Sequence, residues 1–200
     1  VQRADLYAAP ETLARAWADF GMSILKRRRA STEPGTPSAE GIRLHRQALA
    51  LARRLNEQEA FWFMGYYVLI SPYLNATEER WKMAEELVRR SRAGVAMRTL
   101  GIALLCIGEA FLESGQRTRF DDIGKELRDL AEHTRQAHVI LLAMQQEGFQ
   151  KLMDGRLEET AAIARQILVR GEELGIPEYA RLVALQASVR PESGEVHLRN

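Results

Sequence analysis

The chain has 200 residues, 46% of them hydrophobic, and its 28 basic and 27 acidic residues leave a net charge of +1. With charges this balanced, the chain has no overall electrostatic attraction to nucleic acid or to an anionic membrane, so we expect neither as a partner. The only cysteine, Cys106, excludes an internal disulfide and lies in the apolar run 102–107, so we interpret it as a buried structural thiol. Because a lone cysteine can form no internal disulfide, we predict a cytoplasmic, reducing compartment. No run of about 18 or more apolar residues lacks charges, so we predict that the chain spans no membrane.

The first predicted helix begins near Pro10, after a lead-in over residues 1–9 that shows no period. It ends in the basic run Lys26–Arg29, which complements the helix dipole and which we do not interpret as a nucleic-acid patch. Its apolar residues recur at spacings of three and four: Leu13, Trp17, Phe20, Ile24 and Leu25.

A second helix follows, capped by Ser38, and the third, over about 57–70, is rich in aromatic residues. Because its aromatics surround the helix, they cannot all face one core, and we expect some to line a neighbouring repeat or an exposed groove. The aromatic positions are Phe61, Trp62, Phe63, Tyr66 and Tyr67.

The Ser71–Pro72 pair ends the third helix, and Asn75 or Thr77 can cap a fourth. Gly94 then precedes a long apolar helix, whose end is marked by Gly115. A sixth helix ends near Thr134. A helix–glycine–helix unit follows over about 136–174, and a last helix starts after Gly175, before the polar tail 191–200.

Two copies of one pattern, 40 residues apart, cover 101–175. Ala103, Gly108, Leu112, Gly115, Ile123 and Glu132 recur as Ala143, Gly148, Leu152, Gly155, Ile163 and Glu172. Junctions near Asn56, Gly94, Arg135 and Gly175 keep a similar spacing. A fixed period of this length is typical of stacked helical hairpins, so we predict one all-α solenoid domain of about nine helices over residues 10–190.

Four residues of the first copy resemble the first-helix signature of the tetratricopeptide repeat: Ile107, Gly108, Phe111 and Gly115. The second copy keeps Gly148 and Gly155 but has Lys151 at the usual aromatic position, and its period exceeds the ~34 residues of standard repeats. The chain is similar, over roughly 42–190, to the degenerate tetratricopeptide segments of bacterial signalling ATPases, namely LuxR-type regulators related to the maltose activator and adenylate-cyclase-like proteins. The resemblance implies a right-handed solenoid that serves as a sensor or scaffold segment of a larger signalling regulator.

Residues with catalytic or metal-binding spacing are few. No G-x-x-x-x-G-K-[ST], H-E-x-x-H or Cys-x-x-Cys pattern occurs. His133 and His138 bracket one inter-helix turn and could share a metal or form an acid–base pair, but we favour surface histidines there. We therefore expect a non-catalytic module without a metal or cofactor. The alternatives are a small hydrolase or lyase with an acid–base site in the helical groove, and a self-association module that forms a homodimer.

The first helices of stacked hairpins line their concave surface, so we take candidate ligand contacts from them: Trp62, Tyr66, Arg98, Leu105, Glu109, Gln145 and Phe149. Aromatic anchors and polar orienting groups would hold a protein, a peptide or a small-molecule effector. Core packing is the competing interpretation for Trp62 and Tyr66, and a solvated edge position is the competing one for Glu109. Leu105 corresponds to Gln145, and Glu109 to Phe149, so specificity is expected where the copies differ.

Overall fold

The computed structural model describes residues 6–29, 39–70 and 77–188, and its regular structure there is α-helical throughout. The all-α class is therefore confirmed, whereas solenoid stacking and its handedness stay predictions. In these ranges no helix has both the length and the apolar character that a membrane crossing requires. The helices are α1 (Leu13–Arg29), α2 (Ala39–Arg54), α3 (Gln58–Leu69), α4 (Thr77–Arg89), α5 (Met97–Glu113), α6 (Arg117–Thr134), α7 (Ala137–Met153), α8 (Leu157–Glu173) and α9 (Pro177–Ser188).

Several sequence predictions fall on residues outside the described ranges. They concern residues 1–5 of the lead-in, the Ser38 cap, the Ser71–Pro72 stop, the Asn75 cap and the tail 191–200.

The predicted helix breaks are confirmed by the backbone. Asn56, Gly94, Gly115, Arg135, Gly155 and Gly175 all adopt left-handed φ angles, between 52° and 77°. At Gly115 the N–H donates to the carbonyl oxygen of Leu112 at 2.9 Å, and the next N–H, of Gln116, donates to Phe111 at 2.8 Å. This pair of hydrogen bonds is the Schellman closure of a helix end, and it recurs at Asn56, Gly155 and Gly175.

The 40-residue duplication also sets the helix boundaries. α5 and α7 are both 17 residues long and start at Met97 and Ala137. α6 and α8 start at Arg117 and Leu157, with the same offset. Because Gly108 and Gly148 are both buried, the equivalent small residues serve equivalent packing positions.

The chain divides into two compact units at the peptide bond between Phe120 and Asp121. A single domain over residues 10–190 stays a prediction. In the first unit α3 packs against α1, α2, α4 and α5. Trp17 and Phe20 of α1 meet Phe63 and Tyr67 of α3 edge-on, with ring centroids 5.2 Å and 4.9 Å apart in the two pairs Trp17–Phe63 and Phe20–Tyr67. α1 therefore covers one aromatic side of α3, while Phe61 is buried on another.

In the second unit α7, α8 and α9 each pack against the other two. Their shared core contains Leu141, Ile163, Ile167 and Val183. Helices α8 and α9 are in close contact at Gly171, where an added Cβ would lie 2.1 Å from the Cβ of Ala180. Only glycine fits there without a shift of one helix, so Gly171 fixes the spacing of this pair.

Candidate functional site

The first unit contains a groove between α2 and α4, which we call the first groove. It encloses a cavity of about 240 Å³. Its apolar lining consists of Ile42, Leu49, Val68 and Met83. Side chains of α2 and α4 face each other across this gap.

Two arginine–glutamate pairs bridge the first groove. Arg46 donates to both carboxylate oxygens of Glu79, at 3.1 Å and 2.9 Å. Arg53 binds Glu86 in the same way, at 2.8 Å and 2.7 Å. Bidentate pairing satisfies both partners and fixes their orientation, so these charges hold α2 to α4.

Glu86 is the centre of a small network at one end of the first groove. It also forms an ion pair with Arg90, whose guanidinium lies 4.3 Å from the ring centroid of Phe61. The hydrogen bond from Arg53 is the main reason why the pKa of Glu86 lies below its usual range.

Replacing Glu86 with glutamine should therefore destabilise the protein in a pH-dependent way. Because the folded-state pKa is depressed, the carboxylate stabilises the fold above its unfolded pKa near 4.5, and this contribution is lost as the pH falls through the folded value. The side chain is 32% exposed, and we expect solvent screening to limit the loss of unfolding free energy near neutral pH to about 1 kcal/mol. Urea denaturation at a series of pH values would measure it.

Glu78→Gln is the matched control, because Glu78 also pairs with a cation, Lys82, but its side chain is 72% exposed. Solvent screening should make its effect on stability clearly smaller than that of Glu86→Gln. A loss for Glu86→Gln that is as large at pH 3 as at pH 7 would contradict an electrostatic role.

His45 lies at the bottom of the first groove and is buried. Its Nε2–H donates to the carbonyl oxygen of Met64 at 2.9 Å, and its ring meets Phe20 edge-on at 5.3 Å. Through these contacts His45 joins α2 to α3 and α1, which is a packing role.

The second unit contains a larger groove, which we call the second groove, with a cavity of about 790 Å³. It lies between the C-terminal part of α6 and the end of α8, with α7 as its floor. Volumes of 300–1,000 Å³ are typical of ligand sites. Its lining is Arg128, Ala131, Glu132, Arg135, Ile140, Ala143, Met144, Glu147, Arg170 and Leu174.

The rim charges of the second groove are arranged differently from those of the first. Arg128, Glu132, Arg135 and Glu147 form no ion pair with any other described residue. Arg128 makes only a long hydrogen bond, 3.5 Å, to Gln150, and Arg170 pairs with Glu173 at 2.6 Å. Four charged side chains around an apolar floor therefore remain open to a ligand.

Arg135 also carries backbone strain. Its φ is 52°, in the left-handed region, whereas the equivalent junctions have asparagine or glycine. An arginine there costs roughly 1–2 kcal/mol. Strained residues persist where the surrounding structure or the function requires them, and this one lies on the rim of an open groove.

The candidate Trp62 is fully buried in the first unit. Its indole Nε1–H donates to the carbonyl oxygen of Ser91 at 3.0 Å. Tyr66, also predicted, is buried, and this burial is the main cause that raises the pKa of its hydroxyl. Arg98 is exposed and close enough to oppose that shift, so the structure brings these two candidates together.

The remaining candidates are divided between the units. In the first, Leu105 is buried and Glu109 is partly exposed. In the second, Phe149 is buried and Gln145 is 2% exposed, with its amide donating to Gln186 at 3.4 Å. None of the seven predicted contacts lines the first or the second groove. Their role in ligand binding stays a prediction.

The two histidines predicted as a possible pair make separate contacts. The exposed His133 donates from Nδ1 to the carbonyl oxygen of Asp129 at 2.6 Å, and the His138 ring lies 4.7 Å from that of Tyr179. Across the described ranges, no group of three or more His, Cys, Asp or Glu side chains could hold a metal ion.

Sequence reasoning missed the rim of the second groove. The available signal was the alternation of charge at Arg128 and Glu132, which are one turn apart near the end of α6, and at Arg135, the junction residue that follows. The presence of arginine where other junctions have glycine or asparagine was a second signal. Neither signal lies on the first helix of a hairpin, where the predicted contacts lie.

Comparison of the chain with protein-family models, with curated proteins and with solved structures gave no significant match.

Proposed function

We propose that this chain is a tetratricopeptide-like recognition module and that its second groove binds a peptide segment of a partner protein. The observation that carries the proposal is the set of four rim charges that have no ion-pair partner among the described residues, around the apolar floor formed by Ile140, Ala143 and Met144. An apolar floor supplies affinity by burial, and rim charges supply orientation and selectivity.

The contrast between the grooves supports this assignment. In the first groove Arg46 and Arg53 already bind carboxylates, so a ligand would have to break bidentate pairs to reach them. In the second groove Arg128 and Arg135 can bind a ligand without breaking an ion pair. A role as the sensor or scaffold segment of a signalling regulator agrees with such a site.

Arg135→Gly offers a sharp test, because it removes a rim charge and relieves backbone strain together. We expect it to raise the free energy of unfolding by about 0.5–1 kcal/mol, since glycine adopts a positive φ without steric cost. It should also weaken binding of a peptide selected by the wild-type chain from a phage-displayed random library, by about five- to tenfold. Calorimetric titration with the synthetic peptide would measure the affinity.

Arg46→Gln is the matched control, because it removes an arginine from the first groove and leaves the second intact. It should not change the affinity. If the library yields no binder, or yields only binders unaffected by Arg135→Gly, the second groove is not a recognition site.

A further inference from the structure

We infer that the first groove is a separate binding site and that it holds a small, neutral, apolar molecule about the size of indole. The cavity belongs to the first unit and shares no lining residue with the second groove, so the two sites stand or fall separately. Its size, its lining and the charges at its rim each limit what the occupant can be.

The volume of the cavity fits a small molecule. Side chains in protein interiors usually pack with few voids larger than a water molecule, whereas the first groove encloses about 240 Å³. An apolar cavity of about 150 Å³ binds benzene. In proportion, the first groove suits about nine or ten non-hydrogen atoms, as in indole, and is too small for a helix or a strand of a partner protein.

Three helices supply the apolar lining of the cavity. Ile42 and Leu49 belong to α2, Val68 to α3 and Met83 to α4. Because Leu49, Val68 and Met83 are buried, a molecule that enters the cavity exchanges water for apolar contacts. Burial of its apolar surface is therefore the main source of affinity in this site.

The charged residues of the first groove favour a neutral occupant. Arg46 already binds Glu79, and Arg53 already binds Glu86. Lys82, which also lines the cavity, forms an ion pair along its own helix. A charged ligand would have to give up its hydration and compete with these pairs, whereas a neutral ligand leaves them intact.

The rim pairs also leave the molecule a way in. The side chains of Arg46 and Arg53 are 60% and 40% exposed. Water competes for ion pairs that are exposed to this degree, so each pair can open briefly without unfolding of α2 or α4. His45 meanwhile holds α2 to α3 through its hydrogen bond to Met64 at 2.9 Å, so the floor of the cavity stays in place.

The experiment uses the full chain labelled with ¹³C at the methionine methyl groups, with the Met83 signal identified from the variant Met83→Leu. The chain is titrated with indole, acetophenone and benzoate. Acetophenone and benzoate have equal numbers of non-hydrogen atoms and differ in charge, so this pair isolates the effect of a ligand charge.

We expect indole and acetophenone to shift the Met83 signal saturably, with dissociation constants on the order of 0.1–1 mM. Benzoate should bind at least about tenfold more weakly, because its carboxylate would lose its hydration in the cavity. Ile42→Phe, which fills the cavity, should weaken indole binding by at least about tenfold. Ile140→Phe is the matched control, since it makes the same substitution in the lining of the second groove, and it should leave the affinity unchanged.

Absence of a saturable shift up to the solubility limit of indole would overturn the inference, as would equal affinities for acetophenone and benzoate. Equal binding by the wild-type chain and Ile42→Phe would place indole elsewhere and would overturn it too. If circular dichroism shows that Ile42→Phe does not fold, Leu49→Phe takes its place. Nuclear Overhauser transfer from indole protons to the Met83 methyl group of the wild-type chain is an independent check, since its presence supports the site and its absence contradicts it.

Discussion

Trp62→Ala is expected to lower the free energy of unfolding by about 3–5 kcal/mol, the usual cost of deleting a large side chain from a packed core. Trp62 is 0% exposed and its indole N–H binds the carbonyl oxygen of Ser91, so the substitution leaves a cavity and removes a hydrogen bond. Urea denaturation followed by tryptophan fluorescence would measure the loss in the first unit, since Trp17, Trp62 and Trp81 all lie there.

Trp81→Ala is the natural control, because this indole is 37% exposed on α4. Its removal should cost much less than that of Trp62. Similar losses of unfolding free energy in the two variants would contradict the packing described for α3. They would instead support Trp62 as a surface residue that contacts a ligand. A ligand-binding defect in folded Trp62→Ala protein, without loss of stability, would do the same.

Gly171→Ala should destabilise the second unit by about 1–3 kcal/mol, in spite of the higher helix propensity of alanine. The new methyl group would lie 2.1 Å from the Cβ of Ala180, and 3.5 Å from its Cα, so α8 and α9 would have to move apart. Thermal unfolding followed by circular dichroism would report the change.

Gly148→Ala is the control for helix propensity. Its added methyl group would lie 3.5 Å from the nearest heavy atom, an ordinary contact, so we expect unchanged or slightly higher stability. Adding Ala180→Gly to Gly171→Ala should restore part of the loss, because it removes the atom in conflict. Simple additivity of the two substitutions would show that the clash is not the cause.

The sequence predicted the breaks between the later helices well because they depend on local chemistry. The predicted start of the first helix near Pro10 is wrong, because α1 begins at Leu13 and Glu11 has a left-handed φ of 53°. Each break at Gly115, Gly155 or Gly175 needs a positive φ that only a few residue types adopt readily, and the glycines show these positions directly. The duplication then extended the same reasoning to Asn56 and Arg135. Helix propensity and turn chemistry act over a few residues, so one sequence was enough.

The candidate site depended on contacts between distant residues, which the sequence does not display. The sequence shows more aromatic residues on α3 than one core could bury. In the structure, α1 covers two of them, Phe63 and Tyr67. Arg53 and Glu86 are 33 residues apart, so neither residue alone predicts that they form an ion pair. For the same reason the sequence does not show that the charges of the first groove are already paired. Gln145 is likewise buried by a contact between distant residues, since its amide donates to Gln186, 41 residues further along the chain.

Among the contacts that the described helices make within each unit, no pair is separated by more than one other helix along the chain. Contacts this local require only short loops to close, which favours rapid folding. During synthesis the first unit can therefore complete its packing while the second is still being made. A strand-rich protein of this length, whose distant ends pair, would have to wait for the whole chain.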